Sequence, residues 1–176
     1  MLQNTNTAII VAAGTGSRMG SETPKQFLNL AGQEILYYSV EAFLHHPNIH
    51  DIIIVTSNDF LDQVTANYPQ CQVVTGGATR QDSVFNGVKA CSKDTKLVLV
   101  HDAARPLIPS EVIDACLLKL ETLDGVAPAI EPVDSMIQIV GGDFLNLDRN
   151  SLKIVQTPQC FRLNVLRQAH DSGKTD

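Results

Sequence analysis

Residues 7–27, TAIIVAAGTGSRMGSETPKQF, run an apolar strand straight into a glycine loop that carries Arg18 and Lys25. Gly14 and Gly16 lack a Cβ, so the backbone there can turn its amides toward a ligand in conformations other residues resist. Amide donors favour anions, and the guanidinium of Arg18 and ammonium of Lys25 add the full charge that a nucleotide's phosphates call for. Pro24 stiffens the approach to Lys25. This combination reads as a polyphosphate site. Gly14, Gly16 and Gly20 give G-x-G-x-x-x-G, one residue too long for the dinucleotide fingerprint, and no G-x-x-x-x-G-K-[ST] occurs in the chain. The plainer reading is a strand-to-loop turn with solvated charges.

A second stretch, LVLVHDAARP at 97–106, ends a short buried-type strand in His101 and Asp102, followed by a loop with Arg105. Ligands of open α/β sheets gather at such strand ends. A carboxylate there suits Mg²⁺, which uses few protein ligands and keeps its other positions for water and substrate phosphates. Asp102 is the metal candidate, with a turn or helix cap before Ala103 as the alternative. His101 reads as a packed, hydrogen-bonded residue more readily than as a catalyst, because no serine or cysteine nucleophile pattern accompanies it.

Four ordered blocks, AAGTGSRMGSETPKQF, GGATRQDSVFNGV, VHDAARP and VQTPQCF, together resemble the 2-C-methyl-D-erythritol 4-phosphate cytidylyltransferases. The resemblance spans nearly the whole chain, and HDAARP favours this branch over the related alditol-phosphate cytidylyltransferases that act on substrates such as ribitol 5-phosphate. It implies transfer of CMP from CTP to the methylerythritol phosphate with release of pyrophosphate, a step of non-mevalonate isoprenoid synthesis, with Mg²⁺ as cofactor. An ionised phosphate is already a nucleophile, so such a protein must chiefly align and neutralise anions.

Carried over by position, the resemblance gives Arg18 and Lys25 the stabilisation of the triphosphate and transition state, and gives Asp102 the metal. Ala12, Ala13, Gly14, Gly16, Gly77, Arg80 and Ser83 fall around the nucleotide, with backbone groups and a hydroxyl reading the cytosine edge. Such reading discriminates because a wrong base leaves buried site groups unpaired. Arg105 and Thr157 fall on the side of the alcohol phosphate.

Between Pro132 and Asn150, MIQIV and FLNLD alternate in polarity on either side of Gly141-Gly142, the pattern of a β-hairpin. A two-stranded ribbon is marginal alone and needs a partner surface. By resemblance it is a homodimerisation arm, from which Arg149 reaches the neighbouring subunit's site to hold the methylerythritol phosphate. Ser135, also on the substrate side, stands where the family usually has threonine, and PVDSMIQ is one residue shorter than usual. The chain ends at HDSGKTD, where the family continues into an acidic block and a strand with a second basic catalytic residue; Lys174 precedes that segment and does not take its role. Truncation is the expectation, with a non-catalytic CTP-binding module as the alternative.

The 176 residues, 44% hydrophobic, suit one nucleotidyltransferase domain over 1–176 with the arm at about 132–150. A net charge of −6 argues against a nucleic-acid surface, so the basic residues near the loops read as a small-anion site. MLQNTNT has neither the basic start nor the apolar run of a signal peptide, and no membrane anchor is expected; a cytoplasmic location follows. Cys71, Cys91, Cys116 and Cys160 are widely spaced, include no C-x-x-C, and read as reduced apolar residues.

The elements that must hold these residues alternate. Apolar runs IIVAA, IIIVT, QVVT, LVLV and GVAPAI interleave with helix-like EILYYSVEAFLHH, DSVFNGVKAC and SEVIDACLLKLE. Ser110 reads as a helix cap, and Val112, Ala115, Cys116, Lys119 and Leu120 as one helix face. The predicted fold is α/β: a Rossmann-like, mostly parallel sheet flanked by helices, with a protruding hairpin. A dinucleotide-dependent oxidoreductase would need the missing fingerprint and an acidic residue ending the second strand, where only a late Asp59 stands.

Overall fold

In the computed structural model, residues 5–14 and 23–173 are described. The first strand, β1 (Thr5–Ala12), is flanked on one side by β4 (Asp51–Thr56) and on the other by β6 (Thr95–Asp102), both parallel to it. Short β2 (Asn29–Leu30) and β3 (Gln33–Glu34) form a small ribbon before helix α1 (Ile35–Leu44). Helix α2 (Leu61–Asn67) leads to β5 (Gln72–Thr75), and α3 (Arg80–Ala90) precedes β6. After α4 (Ser110–Lys119) come β7 (Gly125–Val126), β8 (Ala129–Ile130), β9 (Met136–Val140), β10 (Asp143–Leu147), β11 (Ile154–Val155), β12 (Gln159–Arg162) and α5 (Leu163–Asp171).

The main sheet runs β5-β4-β1-β6-β12-β7. Its first four strands are parallel, whereas β12 lies antiparallel to both β6 and β7. The apolar runs that predicted buried strands are continuous because helices cover both faces. Side chains of successive residues point to opposite faces, so each strand feeds two cores. Ala8, Ile10, Ile54 and Leu99 pack toward Leu36, Val40 and Phe43 of α1 and Ile113 and Cys116 of α4. Ile9, Ile53, Val55, Val98 and Val100 pack toward Val84 and Val88 of α3 and Leu163 of α5.

Two local expectations are corrected. GVAPAI is not one strand: Pro128, which has no N–H for a ladder, separates β7 in the main sheet from β8, which pairs with β11. The Pro128 carbonyl instead accepts the N–H of Gln156 at 2.8 Å. Ser110 is not the cap of α4 but its first residue; extended Pro109 occupies the cap position, and the buried face is Ile113, Cys116 and Leu120. The hairpin forms as read. Gly141 and Gly142 have φ of 60° and 96° between paired Val140 and Asp143, the positive-φ pair that a two-residue loop of this kind requires.

Gly87 marks the closest approach of α3 to the sheet: a Cβ there would lie 2.6 Å from the Cγ2 of Ile9 and 3.1 Å from the Cγ2 of Val55. Those methyls sit on β-branched residues of central strands and cannot move without disturbing the core. Alanine would gain about 1 kcal/mol in helix propensity but meet overpacking of about 1–3 kcal/mol. Gly87→Ala is expected to lower stability by up to about 2 kcal/mol, read as a lower urea midpoint at unchanged slope.

Candidate active site

The register of β1 on β6 sets Val11 opposite Asp102, so the glycine loop leaves β1 beside the carboxylate that ends β6. The N–H of Ala103 donates to the Val11 carbonyl at 3.0 Å, and the buried hydroxyl of Ser39 on α1 donates to the Ala103 carbonyl at 2.8 Å. This strand end is therefore held from both the sheet and the helix beneath it.

Lys25 begins a single 3₁₀ turn, Lys25–Phe27, whose next two side chains are buried while Lys25 stays exposed. Phe27 stacks on Phe60 with centroids 4.3 Å apart. The Gln26 amide donates to the carbonyls of Ala12 at 2.6 Å and Gly14 at 2.8 Å. A peptide's N–H points opposite to its C=O, so drawing the Ala12 carbonyl toward Gln26 also fixes the direction of the Ala13 amide. Lys25 is thereby held in fixed relation to the start of the glycine loop.

The opposite wall is the N-terminus of α3. Thr79 and Asp82 form a reciprocal capping box: Thr79 Oγ1 accepts the Asp82 N–H at 3.0 Å, and Asp82 Oδ2 accepts the Thr79 N–H at 3.1 Å. Ser83 Oγ accepts the Gly77 N–H at 3.0 Å and donates to the Thr79 carbonyl at 2.9 Å. The Ser83 proton is thus used in shaping the loop. A Cβ on Gly77 would lie 2.2 Å from the Asp82 Cβ, and one on Gly76 2.5 Å from the Ala13 Cβ. Glycine is required at both for steric reasons.

Asp102 lies between two arginines. Its Oδ1 accepts from Arg80 Nη2 at 3.0 Å and its Oδ2 from Arg105 Nε at 3.2 Å. Burial raises the carboxyl's pKa, but the charges and hydrogen bonds of Arg80 and Arg105 outweigh it and hold it below the usual carboxylate value. Arg105 Nη1 also makes a short bond to Gln156 Oε1. Behind Asp102, His101 is fully buried and contacts the Arg105 carbonyl through Nε2 at 3.0 Å and Thr157 Oγ1 through Nδ1 at 3.0 Å. Burial, the largest influence, pushes the His101 pKa down to about 4 against the opposing pull of the Arg105 carbonyl and Asp102.

Ala13, Gly14, Lys25, Gly77, Arg80, Ser83, Asp102 and Arg105 line one cleft of about 640 Å³ at the strand ends. Ala12 is buried beneath it, and Thr157 lies behind Asp102 rather than at the surface of the cleft. Arg18 and Gly16 fall outside the described residues. Ser135 and Arg149 do not line this cleft; both are exposed near the base of the hairpin, where Arg149 Nη1 donates to the Val133 carbonyl at 3.0 Å. Sequence reasoning named neither Gln26 nor Gln156. Their signal was an amide beside a charged or turn residue in the quoted PKQF and VQTPQCF blocks. Ser39 carried no signal beyond one small polar residue in an apolar helix.

The donor set fits Mg²⁺. Among the described residues no group of three or more His, Cys, Asp or Glu could cage an ion. One carboxylate on a polar cleft matches an ion that takes one or two carboxylates and completes its shell with water and phosphate oxygens. Coordination by Asp102 would require one of its arginines to yield an oxygen.

The family model IspD, 2-C-methyl-D-erythritol 4-phosphate cytidylyltransferase, matches residues 6–176. A protein named 2-C-methyl-D-erythritol 4-phosphate cytidylyltransferase from Clostridium botulinum (strain Langeland / NCTC 10281 / Type F) is 40% identical over 179 residues, covering 96% of this chain and 77% of its own length. One of the same name from Endomicrobium trichonymphae is 38% identical, covering 97% of this chain and 81% of its own. The crystal structure of 4-diphosphocytidyl-2C-methyl-D-erythritol synthase from Anaerococcus prevotii DSM 20548 superposes with a TM-score of 0.83 at 26% identity, over 98% of this chain and 78% of that one.

The environment of His101 gives stability a defined pH dependence. Its folded pKa, about 4, lies below the ordinary histidine value of 6.5, so the unfolded chain binds a proton between these values that the folded chain does not. The contribution is complete above pH 6.5 and is lost as pH falls toward 4. Between pH 7 and 5 this one group is expected to cost about 2 kcal/mol. His101→Gln should show a decline over that interval smaller by that amount in urea unfolding; equal declines would refute it.

Proposed function

Because the chain belongs to the 2-C-methyl-D-erythritol 4-phosphate cytidylyltransferase family, we propose that it transfers CMP from CTP to 2-C-methyl-D-erythritol 4-phosphate, releasing pyrophosphate, in isoprenoid biosynthesis. The observation that carries this reading is the family match over residues 6–176, with Lys25, Arg80, Asp102 and Arg105 converging on one cleft beside the glycine loop. A phosphate oxygen of the methylerythritol phosphate attacks the α-phosphorus of CTP. The bond from that phosphorus to the oxygen bridging toward the β-phosphorus breaks in line, and the electron pair leaves with pyrophosphate. No proton need be removed from an ionised phosphate, so the protein's work is alignment and charge.

In this reading Lys25, set by Gln26 and Phe27, stabilises the negative charge of the transferring group together with Arg18. The backbone of Ala13, Gly14 and Gly77 frames the nucleotide, with Arg80 and Ser83 at the head of α3. Arg105 serves the alcohol phosphate, and Thr157, buried behind Asp102, supports that side from within. Mg²⁺, held by Asp102, would neutralise triphosphate charge when bound. Four free cysteines suit a reducing, cytoplasmic setting, and no helix among the described residues is long and apolar enough to cross a membrane.

The hairpin supports a homodimer. Ile137, Ile139 and Phe144 are exposed on one face of the ribbon, and Met136, Val140 and Leu145 on the other. A ribbon apolar on both faces needs covering on both, and a second copy's arm and body could provide it. Arg149 and Ser135 at its base would then serve the neighbour's cleft.

Three outcomes test this. With CTP and Mg²⁺, the chain should release pyrophosphate with 2-C-methyl-D-erythritol 4-phosphate much faster than with ribitol 5-phosphate; the reverse preference would reassign the substrate. Lys25→Ala should lower turnover by about a hundredfold or more while stability stays within about 0.5 kcal/mol, and unchanged turnover would remove Lys25 from the machinery. Arg149→Ala should raise the KM for the methylerythritol phosphate, and mixing Lys25→Ala with Arg149→Ala chains should restore part of the activity lost at low substrate. Absence of recovery in verified mixed dimers would place the whole site within one chain.

A further inference from the structure

The hydrogen bonds of His101 have one consistent direction. The Arg105 carbonyl can only accept, so Nε2 of His101 carries the proton and donates to it at 3.0 Å. Nδ1 of the neutral ring is then a lone pair, and the hydroxyl it meets at 3.0 Å must donate; this is Thr157. Thr157 Oγ1 in turn accepts the backbone N–H of Asp102 at 3.3 Å. A single buried run therefore passes from the Asp102 N–H through the Thr157 hydroxyl and the His101 ring to the Arg105 carbonyl.

Two residues assigned to the site, Arg105 from the loop beyond β6 and Thr157 from the segment before β12, meet on this one imidazole, and Asp102 at the end of β6 joins them through the Thr157 hydroxyl. The ring has no solvent exposure and packs against Phe43 with centroids 5.0 Å apart, which fixes its plane. The Arg105 side chain folds back onto Asp102 Oδ2 and Gln156, so the 156–157 segment is held both by the Arg105 guanidinium and by His101. The Arg105 backbone has the N–H bond to the Asp102 carbonyl at 3.0 Å and, at its own carbonyl, the imidazole.

We propose that His101 is a positioning residue for the transfer reaction: without touching substrate, it sets Arg105 and Thr157 relative to Asp102 through its two ring nitrogens. The inference rests on the function proposed above. It predicts that the two halves of the imidazole separate. In His101→Asn the shorter side chain can offer an acceptor near the Nδ1 position to Thr157 but cannot reach the Arg105 carbonyl. In His101→Gln the longer amide can donate to that carbonyl and loses the match to Thr157.

The test compares both variants with the wild-type chain by steady-state kinetics with CTP, Mg²⁺ and 2-C-methyl-D-erythritol 4-phosphate, alongside thermal melts and crystal structures. His101→Asn is expected to raise the KM for the methylerythritol phosphate about tenfold, with the KM for CTP within about twofold. The crystal structure of the same variant should show the Arg105 guanidinium displaced from Asp102. His101→Gln should recover most of the loss and retain the pair. Wild-type kinetics in both folded variants, a change in both KM values alike, or an Arg105–Asp102 pair unmoved in His101→Asn would overturn the proposal. Silence of the wild-type chain with both substrates would instead count against the proposed function, and the crystal structures would still decide whether His101 positions Arg105.

Discussion

A carboxylate taken partly out of water at the end of β6 must be compensated, and Asp102 obtains compensation from two directions. Arg80 comes from the head of α3 and Arg105 from the loop after β6, so one charge draws together elements that touch the cleft from different sides. The geometry that allows this begins in the sheet, where pairing of Val11 with Asp102 sets the glycine loop and the carboxylate side by side. A slip of one residue would turn Asp102 to the opposite face and separate it from Arg80 on α3. The register of two apolar strands, chosen by burial, thereby determines where the polar chemistry sits.

Around that centre the polar groups are arranged in layers. Lys25 and the two arginines face the cleft, while Gln26, Ser39, His101 and Thr157 are buried and spend their hydrogen bonds on backbone or on one another. Buried polar groups cost stability unless paired, and each of these has a partner. The outer layer carries charge that a phosphate can meet. The inner layer fixes where that charge stands.

The outer layer was legible in the sequence because its signals are local: glycines and basic residues beside an apolar run, and an acidic residue ending another. The strands were legible for the same reason, since IIVAA, IIIVT, QVVT and LVLV are continuous apolar runs. The inner layer was not, because its meaning lies in pairs distant along the chain. Nothing near Thr157 reveals that its hydroxyl meets His101, and nothing near Gln26 reveals that its amide reaches back to Ala12 and Gly14. Helix α5 and strand β12 were also unread, because the four residues of β12 acquire strand character only by pairing with β6 and β7. Pro128 was visible, yet its effect of sending one apolar run into two sheets depended on where β11 returns.

The tight seam at Gly76 and Gly77 has a consequence for how this cleft can be altered. Where a side chain would collide with the Cβ of Ala13 or Asp82 only peptide backbone fits, and at Gly77 that backbone lines the cleft. Its donors and acceptors do not change when residues are exchanged. At Gly76 and Gly77 no side chain can be introduced to reshape the site, so that stretch can be altered only through the length or path of the loop itself, making it a fixed gauge around which the rest of the cleft can be varied.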